Sequence, residues 1–425
     1  MRYISDLHIH SKYSRACSTE LTIPNLEKWA KIKGVDVLGT GDFTHPKWIE
    51  ELKSNLKDDG SGIMRTQNGF PFVLQTEISL IYSQANKGRR VHHIVLAPSF
   101  EVVDQITEYL KKHGRVDYDG RPIFKISSDN LLYELRRISQ DVEVIPAHIW
   151  TPWFSLFGSN SGFDSVHECF KDQEKYVHAL ETGLSSDPAM NWQLSQLDKF
   201  NLVSFSDAHS FWPWRIGREA TIFELKELSY ANIIRVIRSG EGLLGTVEVD
   251  PSYGKYHFDG HRNCNIVMSP EQSVSVNNVC PKCNSNMTLG VAHRIRELAD
   301  RPQNYKPENA KTFYTMLPLS EILAKIFNKT ISSKIVWREY NKVLRRFGSE
   351  YEILLNASKS QLREVTYEQV AEAIIKNRSG LLKVIPGYDG VYGELVMEPI
   401  TNKELEEDEK EKLDESKQQG LSDFF

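Results

Sequence analysis

The chain has 425 residues, of which 40% are hydrophobic and 26% are charged, and its formal net charge is −5. This is the composition of an ordinary globular protein, and the length predicts two to four domains. No stretch approaches 18 uninterrupted apolar residues, which excludes a transmembrane helix, and the start lacks the basic and apolar regions of a secretion signal. Five cysteines, three of them clustered late, indicate a reducing compartment rather than a disulfide framework. We therefore expect a cytoplasmic protein.

The first motif is a pair of histidines after a short apolar start. His8 and His10 are two residues apart in the stretch Ile4–Ser11. In a strand, side chains two apart point to the same face, so both imidazoles would project side by side near the strand end. Two parallel imidazoles form half of a metal site. For this motif alone, two satisfied polar residues at a strand end are the alternative.

Up to about residue 245, short apolar runs alternate with helical patterns. The stretch Thr22–Gly34 predicts a helix with a capping hydroxyl, an early proline and a glycine stop. Further strands are predicted at Val35–Thr40, Phe72–Gln75, His93–Leu96, Val142–Ile145, His178–Glu181 and Leu202–Phe205. Such alternation predicts a mainly parallel sheet, open or closed into a barrel.

Histidines and acids gather beside the predicted strand ends. They are Asp42, His45, Glu77, His92, His93, His148, Asp207 and His209, and His93 fits least well because it precedes its apolar run. Imidazoles mixed with carboxylates suit Zn²⁺, Mn²⁺ or Fe²⁺, and the set exceeds what one ion needs, so we expect two or three ions. Clustered ions can lower the pKa of a bridging water and clamp a phosphoester. The residues therefore predict metal-assisted hydrolysis at phosphorus.

In this order, the motifs resemble those of the polymerase-and-histidinol-phosphatase (PHP) family over about residues 1–240, and we expect the catalytic barrel to span residues 1–245. The resemblance implies an α/β fold with a distorted (β/α)₇ barrel and a trinuclear metal centre at the C-terminal ends of its strands. The implied ligands are His8, His10, Asp42, His45, Glu77, His93, His148, Asp207 and His209, with His8, His10, Glu77 and Asp207 as the catalytic residues. Zn²⁺ is the expected ion, with Mg²⁺ or Mn²⁺ as alternatives. The family commonly places Asp and His adjacent in its second motif, so the choice between Asp42 and His45 stays open.

Two loops that follow metal-ligand candidates are dense in aromatic residues, at 148–157 and 209–215. Aromatic rings beside a hydrolytic centre could stack a base or wedge open a duplex. The alternative is that they fill the rim of the barrel.

Residues 246–293 contain a second metal motif. Cys280 and Cys283 form a CxxC knuckle, and Cys264 lies three residues after His261. Four nitrogen and sulfur ligands in two close pairs are typical of a closed structural zinc site. His257 is the competitor of His261 for the fourth position.

Residues 294–400 are mostly helical in pattern and are predicted to bind DNA. One amphipathic segment concentrates basic residues: Lys334, Arg338, Lys342, Arg345 and Arg346. Such an excess can meet backbone phosphates, and a solvated helix face is the alternative.

The end of the chain carries a short recognition motif. Residues 401–417 are charged and predict a flexible linker. The last eight residues resemble the PCNA-interacting motif, in which a helical turn presents Leu421, Phe424 and Phe425 on one face and Gln418 beside them. This resemblance implies a sliding-clamp partner and work on DNA.

The order of barrel, zinc module, helical region and clamp motif resembles a family of archaeal DNA repair endonucleases. That resemblance implies hydrolysis of DNA 5′ of uracil, hypoxanthine, xanthine or an abasic site by a multinuclear-metal mechanism with base flipping. It also implies a monomeric protein that associates with the nucleoid and does not bind membranes. A PHP phosphatase acting on a small phosphate monoester and a DNA-binding protein with a decayed site are the alternatives.

Overall fold

The computed structural model describes residues 1–400 of the chain. The predicted linker at 401–417 and the clamp-binding residues Gln418, Leu421, Phe424 and Phe425 lie outside the described residues. Within the described part, no helix combines the length and the apolar character needed to cross a membrane.

The described chain divides into two compact units. The first comprises residues 1–316 and 384–394, and the second comprises residues 317–383 and 395–400. The predicted boundaries after residues 245 and 293 both fall inside the first unit, so the cysteine-containing module belongs to the same compact unit as the N-terminal strands.

The helices and strands follow one another in this order. The first unit contains β1 (Arg2–Asp6), α1 (Ile23–Lys33), β2 (Val37–Gly39), α2 (Pro46–Asn55), β3 (Lys57–Asp58), β4 (Met64–Arg65), β5 (Pro71–Gln84), β6 (Lys87–Ala97), α3 (Phe100–Lys111), β7 (Ile123–Phe124), α4 (Ser128–Ile138), β8 (Glu143–Pro146), α5 (Val166–Phe170), β9 (Ala179–Glu181), α6 (Pro188–Asn191), β10 (Asn201–Val203), β11 (Ala220–Glu224), α7 (Tyr230–Ser239), β12 (Leu243–Glu248), β13 (Asp259–His261), β14 (Ile266–Met268), α8 (Pro270–Ser275), α9 (Val291–Leu298) and β15 (Thr312–Thr315). The second unit contains α10 (Leu319–Ile326), α11 (Lys334–Phe347), α12 (Lys359–Arg363) and α13 (Glu368–Arg378). The strands β16 (Lys383–Ile385) and β17 (Glu394–Val396) include the residues at which the chain passes between units.

The predicted helix after the histidine pair is present as α1. The side chain of Thr22 accepts a hydrogen bond from the N–H of Asn25, and Pro24 stands in the first turn, where its missing N–H costs nothing. Gly34 ends the helix with a φ of 91°, the left-handed conformation that glycine adopts without steric penalty.

The main sheet has eleven strands and mixed direction. Its principal order is β15-β12-β11-β1-β2-β5-β4-β3, with β6 paired to β5 and β8, and β7 paired to β5. Neighbours β1 and β2, and β2 and β5, are parallel, whereas β1 runs antiparallel to β11, β11 to β12, and β6 to both β5 and β8. The expectation of a mainly parallel sheet is therefore wrong. The chain is a mixed α/β protein, and the count of seven βα repeats stays a prediction.

The largest departure from the parallel pattern is the long hairpin of β5 and β6. The two strands pair from Leu74 opposite Ala97 to the two-residue turn Ala85–Asn86. Both turn residues have left-handed φ values, 52° and 59°, as the favoured two-residue hairpin turn requires. Two residues cannot form the crossover that a parallel neighbour needs, so β6 must run back along β5.

The hydrophobic core of the first unit lies among the strands and α7. Leu7, Val73, Ile94, Ile145 and Ile233 all belong to it and are fully buried. Burial of an aliphatic side chain of this size contributes about 1.5–3 kcal/mol. This core fixes the strand ends from which the polar residues project.

Two buried glutamates lie at the end of β12 and beside it. Glu248 accepts hydrogen bonds from Thr182 (3.0 Å) and Ser204 (2.9 Å) through one oxygen, and its other oxygen has no partner in the described structure. Glu219 is equally buried and accepts from the N–H of Val249 at 3.2 Å. Burial raises the pKa of Glu248 to about 8 and that of Glu219 well above its ordinary value.

Glu248→Gln is expected to flatten the pH dependence of stability. The unfolded carboxyl ionises near pH 4.5 while the folded one keeps its proton to about pH 8, so the free energy of unfolding falls across this window. The amide does not ionise, so the variant should gain most over the wild type at pH 8 and above, by about 2 °C or more in Tm. Thermal unfolding of both proteins from pH 5 to 9 checks this. Equal slopes would contradict the expectation, and exposed Glu108→Gln is the control.

Candidate metal centre

The site lies where β1 and its neighbours end. His8 and His10 follow β1, both are fully buried, and their ring centroids are 5.6 Å apart. A bridge between Ile9 and Ala208 holds this segment beside the loop that carries Asp207. The two imidazoles therefore lie on the same side of this segment, as the alternation of side chains in an extended segment dictates.

Two groups of ligand atoms meet in this region. In each, one atom per residue lies within 4.8 Å of every other. The first group comprises His8, His10, Glu77 and Asp207, and the second comprises Glu77, His92 and His148. Because Glu77 belongs to both groups, its carboxylate can bridge two ions.

The carboxylate of Glu77 is the centre of the cluster. One of its oxygens lies 2.7 Å from His92 Nδ1 and 3.1 Å from His148 Nε2. The other lies 3.2 Å from His10 Nε2 and 3.0 Å from Arg121 Nη1. Burial alone would raise the pKa of Glu77, but these cationic and hydrogen-bonding neighbours hold it well below its usual range. Glu77 is therefore an anion ready to bind metal.

His92, and not the predicted His93, faces the cluster. In the hairpin register Glu77 pairs with Ile94, so it shares a face with His92, which is two residues from Ile94. His93 points to the other face, where its Nε2 lies 2.9 Å from Ser128 Oγ. Burial there lowers the pKa of His93 to about 3. The prediction of His93 as a ligand is corrected by this one-residue shift.

Neither Asp42 nor His45 belongs to the ligand groups. The carboxylate of Asp42 accepts from His10 Nδ1 at 3.0 Å and from the hydroxyls of Ser11 and Ser14 at 2.7 and 2.9 Å. Asp42 therefore orients the imidazole of His10 by binding Nδ1, the ring nitrogen that faces away from the ligand group. The ring of His45 stacks on Tyr13 at 4.4 Å instead. A carboxylate in the position of Asp42 fixes the tautomer of a ligating imidazole and raises its basicity.

Glu181 plays the matching role behind His8. One of its oxygens accepts from His8 Nδ1 at 2.9 Å, and the other accepts from the backbone N–H of His148 at 2.6 Å. The sequence pattern predicts Glu181 at the end of a strand but does not identify it as a residue of the metal centre. The strand-end position that it shares with Glu77 is the signal that could have identified it, whereas Arg121 lies in a loop and carries no such signal.

Asp207 and His209 complete the cluster from the other side. Asp207 lies 3.0 Å from His10 Nε2, and the pKa of its carboxyl is held well below its usual range by neighbouring histidines that outweigh its burial. His209 donates from Nδ1 to the carbonyl of Asp207 at 2.9 Å, and its ring lies 4.5 Å from that of His10. His209 is therefore adjacent to the first ligand group without being part of it.

Three site residues have left-handed backbone conformations. The φ values are 43° for Asp42, 32° for His148 and 48° for Asp207. This conformation is strained for residues with a Cβ and concentrates at functional sites. At Gly183 an added Cβ would come within 2.5 Å of the Cβ of His148, so only glycine allows the two loops to meet. The kinks turn the chain sharply as the strands end and aim the side chains into the cluster.

The donor set fits divalent ions. His8 Nε2 is buried and has no hydrogen-bond partner within the described chain, although oxygens of Glu77 and Asp207 lie 3.8 and 3.7 Å away. An imidazole nitrogen aimed at two carboxylates with a gap between them is the arrangement that a metal ion completes. Mixed imidazole and carboxylate donors suit Zn²⁺, Mn²⁺ or Fe²⁺.

Asp42→Asn is expected to weaken metal binding by about 10–100-fold, because an outer carboxylate that orients a ligating histidine typically contributes that much. The affinity for Mn²⁺, measured by calorimetry, should fall. Burial alone would raise the pKa of Asp42, but His10 and Ser11 outweigh it and lower that pKa, so the Tm of the metal-free protein at pH 7 should fall as well. Asp104, an exposed carboxylate on α3, provides the control in Asp104→Asn. An unchanged Mn²⁺ affinity in Asp42→Asn would show that His10 is oriented without it.

The Cys/His module forms a second ligand group. It comprises His261, Cys264, Cys280 and Cys283, again with all four ligand atoms within 4.8 Å of one another, and we call it the quartet. His257 is not part of it, and its ring packs on Phe258 at 5.0 Å. Hydrogen bonds from Ser285 lower the pKa of Cys283 to about 6, which favours the thiolate that binds metal.

The two aromatic loops divide between packing and exposure. Trp150 is buried, donates to Asn191 at 2.8 Å and stacks on Phe157 at 4.7 Å, so these rings fill the interior. Trp153 is exposed, and the ring of Phe154 lies 4.8 Å from that of His92. In the second loop, Trp212 and Trp214 stack in parallel at 5.1 Å and are half-buried. Packing in the interior is therefore confirmed for Trp150 and Phe157, and stacking on a base stays a prediction for the exposed ring of Trp153.

In the second unit, α11 presents a basic face. It buries Val336, Tyr340 and Val343, and the hydroxyl of Tyr340 donates to Glu350 at 2.7 Å. Its predicted DNA-binding residues are Lys334, Arg338, Arg345 and Arg346, which are exposed, and Lys342, which is half-buried at 3.6 Å from Glu339.

Comparison with known proteins gives matches to a domain family, to a relative of known sequence and to solved structures. Residues 318–381 match the MJ0043 C-terminal domain, and the uncharacterized protein MJ0043 of Methanocaldococcus jannaschii is 31% identical over 67% of this chain and 36% of its own length. This chain thus spans about a third of that relative. The crystal structure of the lesion-specific endonuclease PfuEndoQ from Pyrococcus furiosus matches with a TM-score of 0.84 and 33% identity, covering 95% of this chain and 97% of that one. A structure of Endonuclease Q complexed with a 27-mer duplex that carries an abasic lesion at the active site matches with the same TM-score and identity, over 95% and 98%.

The fold, the ligand groups and the near-complete structural match define the class of the protein, which is a metal-dependent endonuclease acting on DNA. More narrowly, the chain belongs to the endonuclease Q family.

Proposed function

We propose that the chain repairs DNA by cutting the phosphodiester 5′ of deaminated bases (uracil, hypoxanthine and xanthine) and of abasic sites, with the damaged nucleotide flipped out. The observation that carries the proposal is the buried cluster around Glu77, in a chain that matches a lesion-specific endonuclease over almost its whole length. The abasic duplex at the active site of the related structure supports the choice of substrate.

The proposed catalytic residues are His8, His10, Glu77 and Asp207, and the proposed ligands add His92 and His148. Divalent ions held there supply Lewis-acid activation of water and charge stabilisation at phosphorus. Zn²⁺ and Mn²⁺ suit these donors best, and Mg²⁺ remains the alternative.

The chain's own groups prepare this site. Asp42 and Glu181 hold the Nδ1 protons of His10 and His8, which leaves both Nε2 atoms facing the cluster. Arg121 donates one N–H to Glu77, and 26% of its side chain is exposed. We assign the exposed part of its guanidinium to a substrate phosphate, because its planar fork matches phosphate oxygens. We also propose that Phe154 stacks on a displaced base, and the position of its ring 4.8 Å from that of His92 supports this.

We propose that α11 binds DNA phosphates through its basic face. The combined variant Lys334→Gln, Arg345→Gln should bind all duplexes more weakly, with or without a lesion, because phosphate contacts carry no sequence information. Each phosphate contact that is lost should reduce the slope of log K against log[salt] by about 0.9. Fluorescence anisotropy at several salt concentrations measures this slope. Exposed Lys111→Gln, on α3, is the control, and an unchanged slope would place the DNA on another surface.

We further propose that the last eight residues bind a sliding clamp and that the protein works as a monomer associated with the nucleoid. The sequence pattern of Gln418, Leu421, Phe424 and Phe425 supports the clamp interaction. Deletion of residues 418–425 should abolish binding to purified PCNA in calorimetry and leave nicking of short duplexes unchanged.

A nicking assay tests the central proposal. End-labelled duplexes with one uracil, one hypoxanthine, one xanthine, one abasic site or no lesion are incubated with the protein and Mn²⁺, Zn²⁺ or Mg²⁺. A single cut 5′ of the lesion is the expected result. Release of phosphate from small monoesters, with no cut in any duplex, would instead favour a PHP-type phosphatase.

A further inference from the structure

Arg294, on α9, binds the loop of residues 148–164 at several points. Its Nε donates to the carbonyl of Phe157 at 3.1 Å, and its Nη2 donates to the carbonyl of Phe163 at 3.2 Å and to the carboxylate of Asp164. Only 14% of the Arg294 side chain is exposed. A rigid guanidinium held between two backbone carbonyls fixes their separation, which a single ammonium group cannot do.

The same loop positions two histidines of the metal centre. The hydroxyl of Ser155 donates to the carbonyl of His148 at 2.6 Å and lies 3.2 Å from its Nδ1. Phe157 donates to the carbonyl of the residue after His148 at 2.8 Å. The carbonyl of Phe154 accepts from the N–H of His92 at 3.1 Å. A shift of the loop would therefore move both imidazoles of the second ligand group.

The first turn of α9 is anchored to the strand that carries a member of the quartet. Asp259 is fully buried in β13, two residues before His261. One of its oxygens accepts from the N–H of Gly290 at 2.7 Å, just before α9, and the other lies 2.6 Å from His293 Nδ1. The position of α9 therefore depends on β13, and that of β13 on the quartet.

We propose that the quartet controls the geometry of the metal centre through β13, α9 and Arg294. Arg294 is then a positioning residue, which acts on His148 and His92 through the loop that it binds. The quartet would then do more than stabilise its own module. It would also affect how tightly the ligand groups that share Glu77 bind metal ions. Only the nicking readout of the following test rests on the proposed function.

The test compares Arg294→Ala with Arg296→Ala. Arg296 lies on the same helix, binds exposed Glu271 and is 52% exposed, so it controls for loss of charge on α9. In Arg294→Ala, hydrogen exchange of amides in 148–164 should rise about tenfold or more. The Mn²⁺ concentration for half-maximal nicking should rise about 10–100-fold while KM for DNA stays unchanged. Arg296→Ala should change neither quantity.

Arg294→Lys provides the second variant. It keeps the positive charge but loses the planar guanidinium that binds two carbonyls. Hydrogen exchange in 148–164 and the Mn²⁺ requirement should therefore both lie between those of the wild type and Arg294→Ala. If the alanine variant does not fold, the lysine variant tests the proposal in its place. Unchanged exchange in 148–164 and an unchanged Mn²⁺ requirement would overturn the proposal. Absence of nicking in the wild type would count against the proposed function, and the exchange measurement would still decide the positioning role.

Discussion

Glu77→Gln should remove nicking activity from a folded protein. Both carboxylate oxygens of Glu77 are engaged, one by His92 and His148 and the other by His10 and Arg121, at 2.7–3.2 Å. Glutamine has the same shape, but it offers one acceptor oxygen and no charge. It cannot bridge the two ligand groups, so both should lose metal affinity at once.

The expected loss in the single-turnover nicking rate exceeds about 100-fold, because removal of merely an outer partner of a metal ligand already costs about 10–100-fold. Metal content by mass spectrometry should fall in parallel. Glu108→Gln, whose side chain is 68% exposed, is the matched control. A rate within twofold of the wild type would show that Glu77 does not bridge the ions.

Stability of the metal-free protein provides an independent check on Glu77. Its pKa is depressed in the folded state, so its contribution to stability is present above pH 4.5 and is lost as the pH falls through the depressed value. The wild type should therefore be more stable than Glu77→Gln at pH 7, and the difference should shrink in acid. A difference that grows in acid would contradict the assigned charge of Glu77.

Local patterns in the sequence predicted the elements that depend on neighbouring residues. The helix from Thr22 to Gly34 has its cap, proline and glycine within one short stretch, and α1 follows them. The quartet likewise depends on two short spacings, and the structure brings its four residues together. Each of these features is encoded within a few positions of the chain.

Features that depend on register were harder to predict. His92 and His93 are adjacent, and only the pairing of β6 with β5 decides which one shares a face with Glu77. The direction of β6 depends in turn on the turn at Ala85–Asn86, which the sequence analysis did not recognise. An unrecognised hairpin therefore accounts for the wrong histidine and for the antiparallel direction of β6 beside β5.

Residues that act through others were also missed. Asp42 was expected to be an alternative to His45 as a metal ligand. Its carboxylate instead accepts a hydrogen bond from Nδ1 of His10, the ring nitrogen that faces away from the ligand group. Glu181 does the same for His8 across 173 positions of sequence. A second layer of contacts follows from the packing of distant loops, and no local spacing marks it.

Cys280→Ser is the second substitution with a large expected effect, because it removes one of the four quartet ligands. Cys280 is fully buried, its N–H donates to the carbonyl of Ser285 at 2.8 Å, and its carbonyl accepts from Asn284 at 2.8 Å, so serine fits the backbone of the knuckle. The substitution therefore tests metal binding rather than packing.

Loss of the metal should unfold the module locally. Between residues 255 and 300, the described buried apolar side chains besides Cys280 are Pro270, Met287, Val291 and Ile295, a core too small to offset the entropy of ordering the chain. Structural zinc sites supply about 10–16 kcal/mol of apparent binding free energy at pH 7, so their loss is expected to dominate. Zinc content should fall by about one equivalent, and proteolysis should appear within 262–290.

Cys283→His is the matched control for Cys280→Ser. Cys283 is exposed, so the larger imidazole has room, and two cysteines with two histidines remain a tetrahedral zinc set. This variant should keep its zinc and resist the protease that cuts Cys280→Ser. If Cys280→Ser also keeps its zinc and its protease resistance, the quartet does not hold the module together. If both variants lose them, the site requires three thiolates, and the module still depends on its metal.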